Sequence, residues 1–342
     1  MLNKKARLSE EIFTEDIEKI PTRNGYGEGL VEAGRKDSRV VALCADVTES
    51  TRTDYFKKEF PDRFIEVGVA EQALATVASG MANYGKIPFI ASYATFSPGR
   101  NWEQIRTTVA LNNVPVKIAG HHTGVSVGPD GATHQALEDI ALMRVLPNMI
   151  VVVPCDAIEA KKAVVEAAFN GKPTYLRFTR EATPVITTQD SPFKIGRAEI
   201  FWDSVVSGLS TNHQSPIINS VTIIACGPLV YEALLAAKEL EKEDIKTIVV
   251  NCHTIKPLDE NKIIEVAKKT GAVVTVEEHQ IAGGLGSAIA ELLTKQYPVP
   301  MEFIGVRDSF GESGEPDELL EKYKLKSKYV IRAVKRVIDR RK

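Results

Sequence analysis

The stretch RFIEVGVAEQALATVASGMANYG, residues 63–85, consists of a short apolar run followed by a helix-forming run of small apolar residues. The pattern predicts a β-strand over 63–69 and a helix over 70–84. A single acidic side chain, Glu71, stands between them. A carboxylate in the first turn of a helix interacts well with the positive end of the helix dipole, so helix capping alone is one interpretation of Glu71.

The same alternation of strand and helix extends along the first half of the chain. Apolar runs predict strands over 40–44, 63–69, 87–92, 114–120, 149–154 and 174–178. Helical patterns lie between them, near 24–35, 70–84, 100–112, 135–144 and 156–169. Apolar strands separated by helices predict a mostly parallel sheet that is covered on both faces.

Beyond the first domain the alternation of strand and helix patterns stops and then resumes. Residues 183–219 are rich in Thr, Ser, Pro, Asn and Gln, which is typical of a linker. Strand and helix patterns alternate again over 220–342. We therefore predict an α/β protein with two doubly wound domains and mostly parallel sheets. An N-terminal extension (1–20) precedes the first domain (21–182), and the linker (183–219) leads to the second (220–342).

Composition narrows the class of protein. A chain of 342 residues favours two domains, and its 44% hydrophobic and 26% charged residues describe a globular protein. The net charge of −2 gives no electrostatic reason to expect nucleic acid or an anionic membrane as a partner. The sequence has no apolar run of 18 residues and no CxxC pair among its four cysteines. We expect a cytoplasmic protein without a membrane span.

Polar and aromatic residues follow four of the predicted strands where each strand ends. They are Asp46, Glu71, Tyr93, Phe96, His121, His122 and, in the loop beyond, His134. The carboxyl ends of parallel strands meet at one edge of a sheet, where ligands collect. We therefore expect these side chains to share one rim of the first domain, which argues for more than helix capping at Glu71.

Two segments of this rim have competing interpretations. The loop HHTGVSVGPDGATHQALED, 121–139, could bind zinc, but its histidine spacing matches no zinc pattern. Alternatively it forms a polar wall that binds a hydroxylated or carbonyl substrate and moves protons, because histidine titrates near neutrality. The segment SYATFSPGRNWEQIR, 92–106, either packs its aromatic residues in the core or forms a flat pocket for a cofactor ring.

Several motifs resemble those of the thiamine-diphosphate enzymes of the transketolase family. They are DRFIEVGVAEQ, ATF and GVSVGPDGATHQALEDIALMR, and they occur in the order that the family shows. The resemblance covers the whole chain but only the C-terminal half of a full-length transketolase. It implies a pyrimidine-binding domain followed by the transketolase C-terminal domain. It also implies thiamine diphosphate as cofactor and ketol transfer between sugar phosphates in the pentose phosphate pathway.

The resemblance assigns roles at the cofactor. Glu71 matches the glutamate that hydrogen-bonds the N1′ atom of the aminopyrimidine ring. Phe96 matches the aromatic residue that stacks on that ring, and Tyr93 lies beside it, with Trp102 as the other candidate. Asp46 matches an acidic residue at the subunit interface near the cofactor.

It also assigns roles at the substrate. His122 and His134 match histidines that contact the donor ketose, and Asp130 matches an aspartate that contacts a hydroxyl of the acceptor aldose. The phosphate-binding residues that match are Arg180, with Arg23 and Ser50. A guanidinium suits a sugar phosphate because it binds two oxygens in a fork. A strand-closing Arg180 and a solvated Arg23 are the alternatives.

The family's Mg²⁺-binding GDG motif is missing from this chain. GGLGSAIAELL, 283–293, could cradle a phosphate at a helix N-terminus, although a tight turn before a helix is the simpler interpretation. The resemblance therefore implies a partner subunit that carries the diphosphate-binding domain and the Mg²⁺ ligands, in an α2β2 assembly. Related possibilities are 1-deoxyxylulose-phosphate synthase and the β subunit of a 2-oxoacid dehydrogenase, but QALEDIALMR and Arg180 favour transketolase. A non-catalytic interaction subunit is the alternative from another class.

Overall fold

The computed structural model describes residues 1–205 and 219–341. Its strands are β1 (Lys19–Pro21), β2 (Val40–Cys44), β3 (Phe64–Glu66), β4 (Ile87–Tyr93), β5 (Lys117–His121), β6 (Ile150–Val152), β7 (Thr174–Arg177), β8 (Ala182–Pro184), β9 (Glu199–Asp203), β10 (Ser220–Ala225), β11 (Lys246–Asn251), β12 (Thr254–Lys256), β13 (Val273–Gln280) and β14 (Met301–Val306). Its α-helices are α1 (Thr22–Lys36), α2 (Asp54–Glu59), α3 (Glu71–Asn83), α4 (Trp102–Gln104), α5 (Asp139–Arg144), α6 (Ala157–Ala168), α7 (Leu229–Lys242), α8 (Glu260–Thr270), α9 (Leu285–Gln296), α10 (Pro316–Lys322) and α11 (Ser327–Arg341).

The first sheet has seven strands in the order β12-β6-β7-β5-β4-β2-β3. All of its pairs are parallel except β12 with β6. Every residue of β2, β5 and β7 is buried, because helices cover both faces of the sheet. The second sheet has the order β14-β13-β10-β11-β9, in which only β9 pairs antiparallel. The predicted α/β class with two mostly parallel sheets is confirmed.

The two sheets are more interleaved along the chain than the sequence pattern indicates. Strand β12 leaves the second half of the chain and joins the edge of the first sheet. Strand β9 lies inside the stretch 183–219 that we predicted as a linker, and it forms the edge of the second sheet. Both are edge strands of three to five residues, too short to give a periodic signal. The rest of that stretch, 206–218, lies outside the described residues.

Helix α3 begins at Glu71, directly after the loop that follows β3. Its run of Ala, Leu and Ser suits a helix, and Leu74, Ala75 and Ala78 are buried against the sheet. Its opposite side is exposed and includes Val77. No helix within 1–205 or 219–341 has both the length and the apolar character needed to cross a bilayer.

The strand order explains why the predicted site residues meet. Strands β5, β4, β2 and β3 lie side by side in the first sheet. Their carboxyl ends therefore bring the residues that follow them to one edge. The last residue of β4, Tyr93, pairs in register with His121 of β5.

Candidate active site

Glu71 is the buried acid of this edge, with 2% of its surface exposed. Its carboxylate accepts hydrogen bonds from Arg100 Nη1 at 2.6 Å and from Ser92 Oγ at 3.3 Å. The Asn101 side chain donates to its backbone carbonyl at 2.9 Å. These contacts fix both the start of α3 and the direction of the carboxylate, so Glu71 does more than cap a helix.

An aromatic cluster adjoins Glu71 and contains four of the predicted site residues. The Tyr93 ring lies 4.0 Å from the ring of His122 and 6.0 Å from that of Phe96, centroid to centroid. The His134 ring meets Phe96 edge-on at 5.4 Å. The guanidinium of Arg100 covers the Phe96 ring, with Cζ 4.6 Å from its centroid, and so links the cluster to Glu71.

The two adjacent histidines have different surroundings. His121 is fully buried between the rings of Tyr26 and Phe178, at 4.7 and 5.1 Å, and belongs to the core. His122 has a positive φ of 55°, which turns its side chain to the opposite side, toward Tyr93. Burial, helped by the charge of Arg23, lowers the pKa of His122 to about 3. His122 is therefore neutral at physiological pH, and a neutral ring nitrogen can accept a hydrogen bond.

A positively charged surface lies beside His122. It consists of Arg23, Arg52 and Arg180, and we call it the arginine wall. Arg23 donates to the backbone carbonyl of Ser50 at 2.9 Å. Burial, then the charges of Arg52 and Arg180, lower the pKa of Arg23. Three guanidinium groups at close range repel one another, so an anion among them would be stabilised.

Arg180 is held at this wall by the loop 121–139, which we call the histidine loop. Its Nη1 atom donates to the Val127 carbonyl at 3.0 Å and lies 3.4 Å from the Asp130 carboxylate. Asp130 and Arg180 are both partly exposed, so they remain accessible to a ligand. The structure thus brings the predicted phosphate-binding and hydroxyl-binding residues into direct contact.

Two predicted neighbours of the cofactor stand apart from this cluster. Asp46 is exposed in the loop after β2, where its backbone N–H donates to Glu66 at 2.8 Å. Trp102 donates through its indole nitrogen to the Leu142 carbonyl at 2.8 Å, which ties it to α5. Of the two aromatic candidates, Tyr93 is therefore the one that adjoins His122.

Sequence reasoning missed Arg52, Arg100 and Asn101. Arg52 acts on the electrostatics of Arg23 and His122, and it follows the ADVTES loop that was singled out for Asp46 and Ser50. Arg100 and Asn101 lie in the segment 92–106, whose sequence pattern is dominated by aromatic residues. A basic residue four positions after Phe96 was the available signal for Arg100.

The glycine-rich stretch 283–286 is a turn that is closed by this chain's own carboxylate. Glu277 accepts hydrogen bonds from the backbone N–H groups of Leu285 and Gly286, at 2.7 and 2.8 Å. The amides that a phosphate would need are therefore already occupied, and the phosphate-cradle alternative is wrong. As for zinc, the described ranges contain no group of three or more His, Cys, Asp or Glu residues that could hold a metal ion.

Comparison with known proteins identifies the family. Residues 18–185 match the family model described as transketolase, pyrimidine binding domain, and residues 212–330 match transketolase, C-terminal domain. A protein of Methanocaldococcus jannaschii named as a transketolase C-terminal section is 42% identical over 316 residues, covering 91% of this chain and 94% of the relative. The 6-deoxy-6-sulfo-D-fructose transketolase subunit SqwH of a Clostridium species is 38% identical, covering 96% and 98%.

A solved structure of a split-gene transketolase, described as an inactive β4 tetramer, superposes with a TM-score of 0.84 at 43% identity. The superposition covers 94% of this chain and all of that chain. Several longer curated relatives are matched over only about half of their own length. Two domain models in order, and relatives matched along nearly their whole length, show that the chain belongs to the transketolase family.

Proposed function

We propose that this chain is the C-terminal, pyrimidine-binding subunit of a two-subunit transketolase, which moves a two-carbon ketol unit from a ketose phosphate to an aldose phosphate. The observation that carries the proposal is the buried Glu71 carboxylate, linked through Arg100 to the Phe96 ring, at an edge that also bears His122 and His134. A non-catalytic scaffold has no physical need for that arrangement.

The residues fit the aminopyrimidine end of thiamine diphosphate. Phe96 offers a flat apolar ring, and Glu71 offers a buried acceptor for a ring nitrogen that carries a proton. Thiamine diphosphate, when bound, supplies a nucleophilic carbon that adds to the ketose carbonyl. In this chain Glu71 would hold the proton at N1′, and Ser92 and Asn101 keep Glu71 in place.

His122 and His134 would form hydrogen bonds with the hydroxyl groups of the sugar. His122 is neutral and its Nδ1 atom has no hydrogen-bond partner among the described residues, so it can form a hydrogen bond with a sugar hydroxyl. His134 Nδ1 is paired with Thr133 Oγ1 at 2.9 Å, which orients its ring. Both rings lie against Tyr93.

The arginine wall would bind the phosphate of the sugar. Arg23 and Arg180 would contact its oxygens, with Ser50 at the same turn and Arg52 adding charge. Asp130, beside Arg180, would accept a hydrogen bond from a hydroxyl of the acceptor sugar. Asp46 would lie at the interface with the partner, which suits its exposed position.

A partner subunit would complete the cofactor site. The GDG motif that holds the diphosphate through Mg²⁺ is absent from the sequence, so the diphosphate and Mg²⁺ ligands would come from an N-terminal transketolase subunit. The similar structure described as a split-gene transketolase, which is matched over its whole chain, supports such a division. We propose an α2β2 assembly in the cytoplasm, where four buried free cysteines would stay reduced.

A second candidate substrate is a sulfonated ketose. The relative SqwH is named for 6-deoxy-6-sulfo-D-fructose, and a sulfonate presents oxygens to the arginine wall much as a phosphate does. Comparing kcat/KM for phosphorylated and sulfonated ketoses in the assembled enzyme separates the two substrates.

Calorimetric titration with thiamine diphosphate and Mg²⁺ tests the main proposal. We expect no measurable binding to this chain alone and clear binding after the N-terminal partner is added. Tight binding to the lone chain would overturn the two-subunit proposal, because a diphosphate site would then lie within this sequence.

A further inference from the structure

The end of strand β13 reaches out of the second domain and contacts the first. Gln280 donates its backbone N–H to the Leu137 carbonyl at 2.8 Å, and the Glu278 carbonyl accepts from Arg177 at 3.0 Å. Glu278 itself is buried, with 3% of its surface exposed. A carboxylate buried between two domains needs a partner to compensate for its lost hydration.

The partner of Glu278 is the histidine loop. Its Oε1 atom accepts a hydrogen bond of 2.6 Å from the backbone N–H of Ser126. Gly124, two residues earlier, has a φ of 83°, and a Cβ atom there would lie 2.3 Å from the carboxylate. Only glycine therefore permits both this loop conformation and the close approach of Glu278.

The contact continues from Ser126 to the arginine wall. The carbonyl of Val127, the next residue, accepts the hydrogen bond from Arg180 Nη1 at 3.0 Å, and Asp130 at the end of the same turn pairs with Arg180 at 3.4 Å. Glu278 thus fixes the turn through the N–H of Ser126. The same turn holds Arg180 through the Val127 carbonyl and the Asp130 carboxylate.

We propose that Glu278 is a positioning residue for sugar-phosphate binding, acting from the second domain through the turn Val125–Asp130. The inference rests on the proposed function and extends it, because it gives the C-terminal domain a task at the substrate. Loss of the Ser126 contact frees the turn, so Arg180 and Asp130 no longer face the sugar phosphate in a fixed direction. Since Arg180 and Asp130 bind the substrate before and during the reaction, the effect falls on KM more than on kcat.

The test compares three variants in the assembled two-subunit enzyme. Glu278→Gln keeps an oxygen that can accept from Ser126, whereas Glu278→Asp keeps the charge but is one methylene too short. Glu291→Ala is the control, because it removes another carboxylate contact between the domains, with Arg144 at 2.6 Å, away from the loop.

We expect Glu278→Asp to raise KM for the phosphorylated ketose about tenfold, with kcat within threefold of the wild type. Glu278→Gln should stay within threefold in KM, and Glu291→Ala should match the wild type. Calorimetric affinity for thiamine diphosphate should be the same in all four proteins. An unchanged KM in Glu278→Asp, or an equal rise in Glu278→Gln, would overturn the proposal. A wild-type complex without ketol transfer would instead overturn the proposed function.

Discussion

Arg100 Nη1 lies 2.6 Å from the Glu71 carboxylate, while the same guanidinium covers the ring of Phe96. A planar, hydrogen-bond-donating group thus makes the two contacts that we propose for the aminopyrimidine of the cofactor. Arg100 is 47% exposed in its side chain, whereas the neighbouring Asn101 is fully buried. The side chain of Arg100 can therefore move away while Asn101 keeps the backbone in place.

Replacing Arg100 with Met should strengthen cofactor binding. Thiamine diphosphate must displace the ion pair with Glu71, and such a half-exposed pair contributes about 1 kcal/mol or less, which is up to about fivefold in affinity. Calorimetry on the assembled complex measures the change. Arg106→Met, an exposed arginine of the same segment, is the control and should leave the affinity unchanged. Weaker binding in Arg100→Met would mean that Arg100 helps to hold the cofactor.

Replacing Glu71 with Ala should abolish most of the ketol transfer. Proton transfer by a positioned side chain contributes about 10²- to 10⁴-fold, and Glu71 is a buried acid linked to Phe96 through Arg100. Steady-state transfer rates in the assembled complex measure the loss, with Glu103→Ala, an exposed acid, as the control. Unchanged transfer would favour the non-catalytic interaction subunit instead.

Replacing Arg180 with Lys should affect charged sugars selectively. Lysine keeps the charge but lacks the planar fork that holds both Val127 and an anion. We expect KM for phosphorylated sugars to rise about tenfold, while the slow transfer from an unphosphorylated ketose stays within twofold. Arg197→Lys, an exposed position, is the control. An equal rise for both sugars would place Arg180 outside the phosphate-binding site.

His122 should make the protein less stable as the pH falls. Burial, then the charge of Arg23, lowers its pKa to about 3 in the folded chain, against about 6.5 unfolded. Between these values the unfolded chain binds the extra proton, so the contribution of His122 to stability is lost as the pH falls below about 6.5.

The His122→Asn variant isolates this effect, because Asn tolerates the positive φ of 55° at that position. We expect the free energy of unfolding of the wild type, relative to the variant, to drop by about 2 kcal/mol from pH 7 to pH 5. Denaturant titrations at the two pH values measure it. A difference that does not change with pH would show that His122 titrates normally.

Asp139 should be important for stability rather than for catalysis. It forms a buried ion pair with Arg177 at 2.7 Å and accepts a hydrogen bond from Tyr175 at 2.7 Å. Burial raises the pKa of Asp139, but Arg177, His279 and the hydrogen bond from Tyr175 together outweigh it, so the pKa lies below its usual value. Asp139→Ala leaves Arg177 buried without its ion-pair partner and should cost about 3–5 kcal/mol in the free energy of unfolding. Asp16→Ala, at an exposed position with an ordinary backbone conformation, is the control and should cost less than about 0.5 kcal/mol.

Local patterns were sufficient to predict the parallel sheets and the edge on which the site lies. Each long buried strand has an apolar run, and the residues that follow it are read directly from the sequence. The patterns missed β9 and β12, because short edge strands acquire their pairing from the sheet they join. They also missed Arg100, whose contacts depend on the turn that brings it back over Phe96.

The sequence by itself determined the α/β class, the order of the elements and the chemical types at the strand ends, because hydrophobic periodicity and turn residues are local properties. Tertiary structure alone decided which of two adjacent histidines faces the site, since a positive φ at His122 turns it away from the core that holds His121. It also decided that Glu278, which lies 152 residues after Ser126 in the chain, supports the histidine loop. Such contacts arise only when two separate domains pack, and no local pattern encodes their distance.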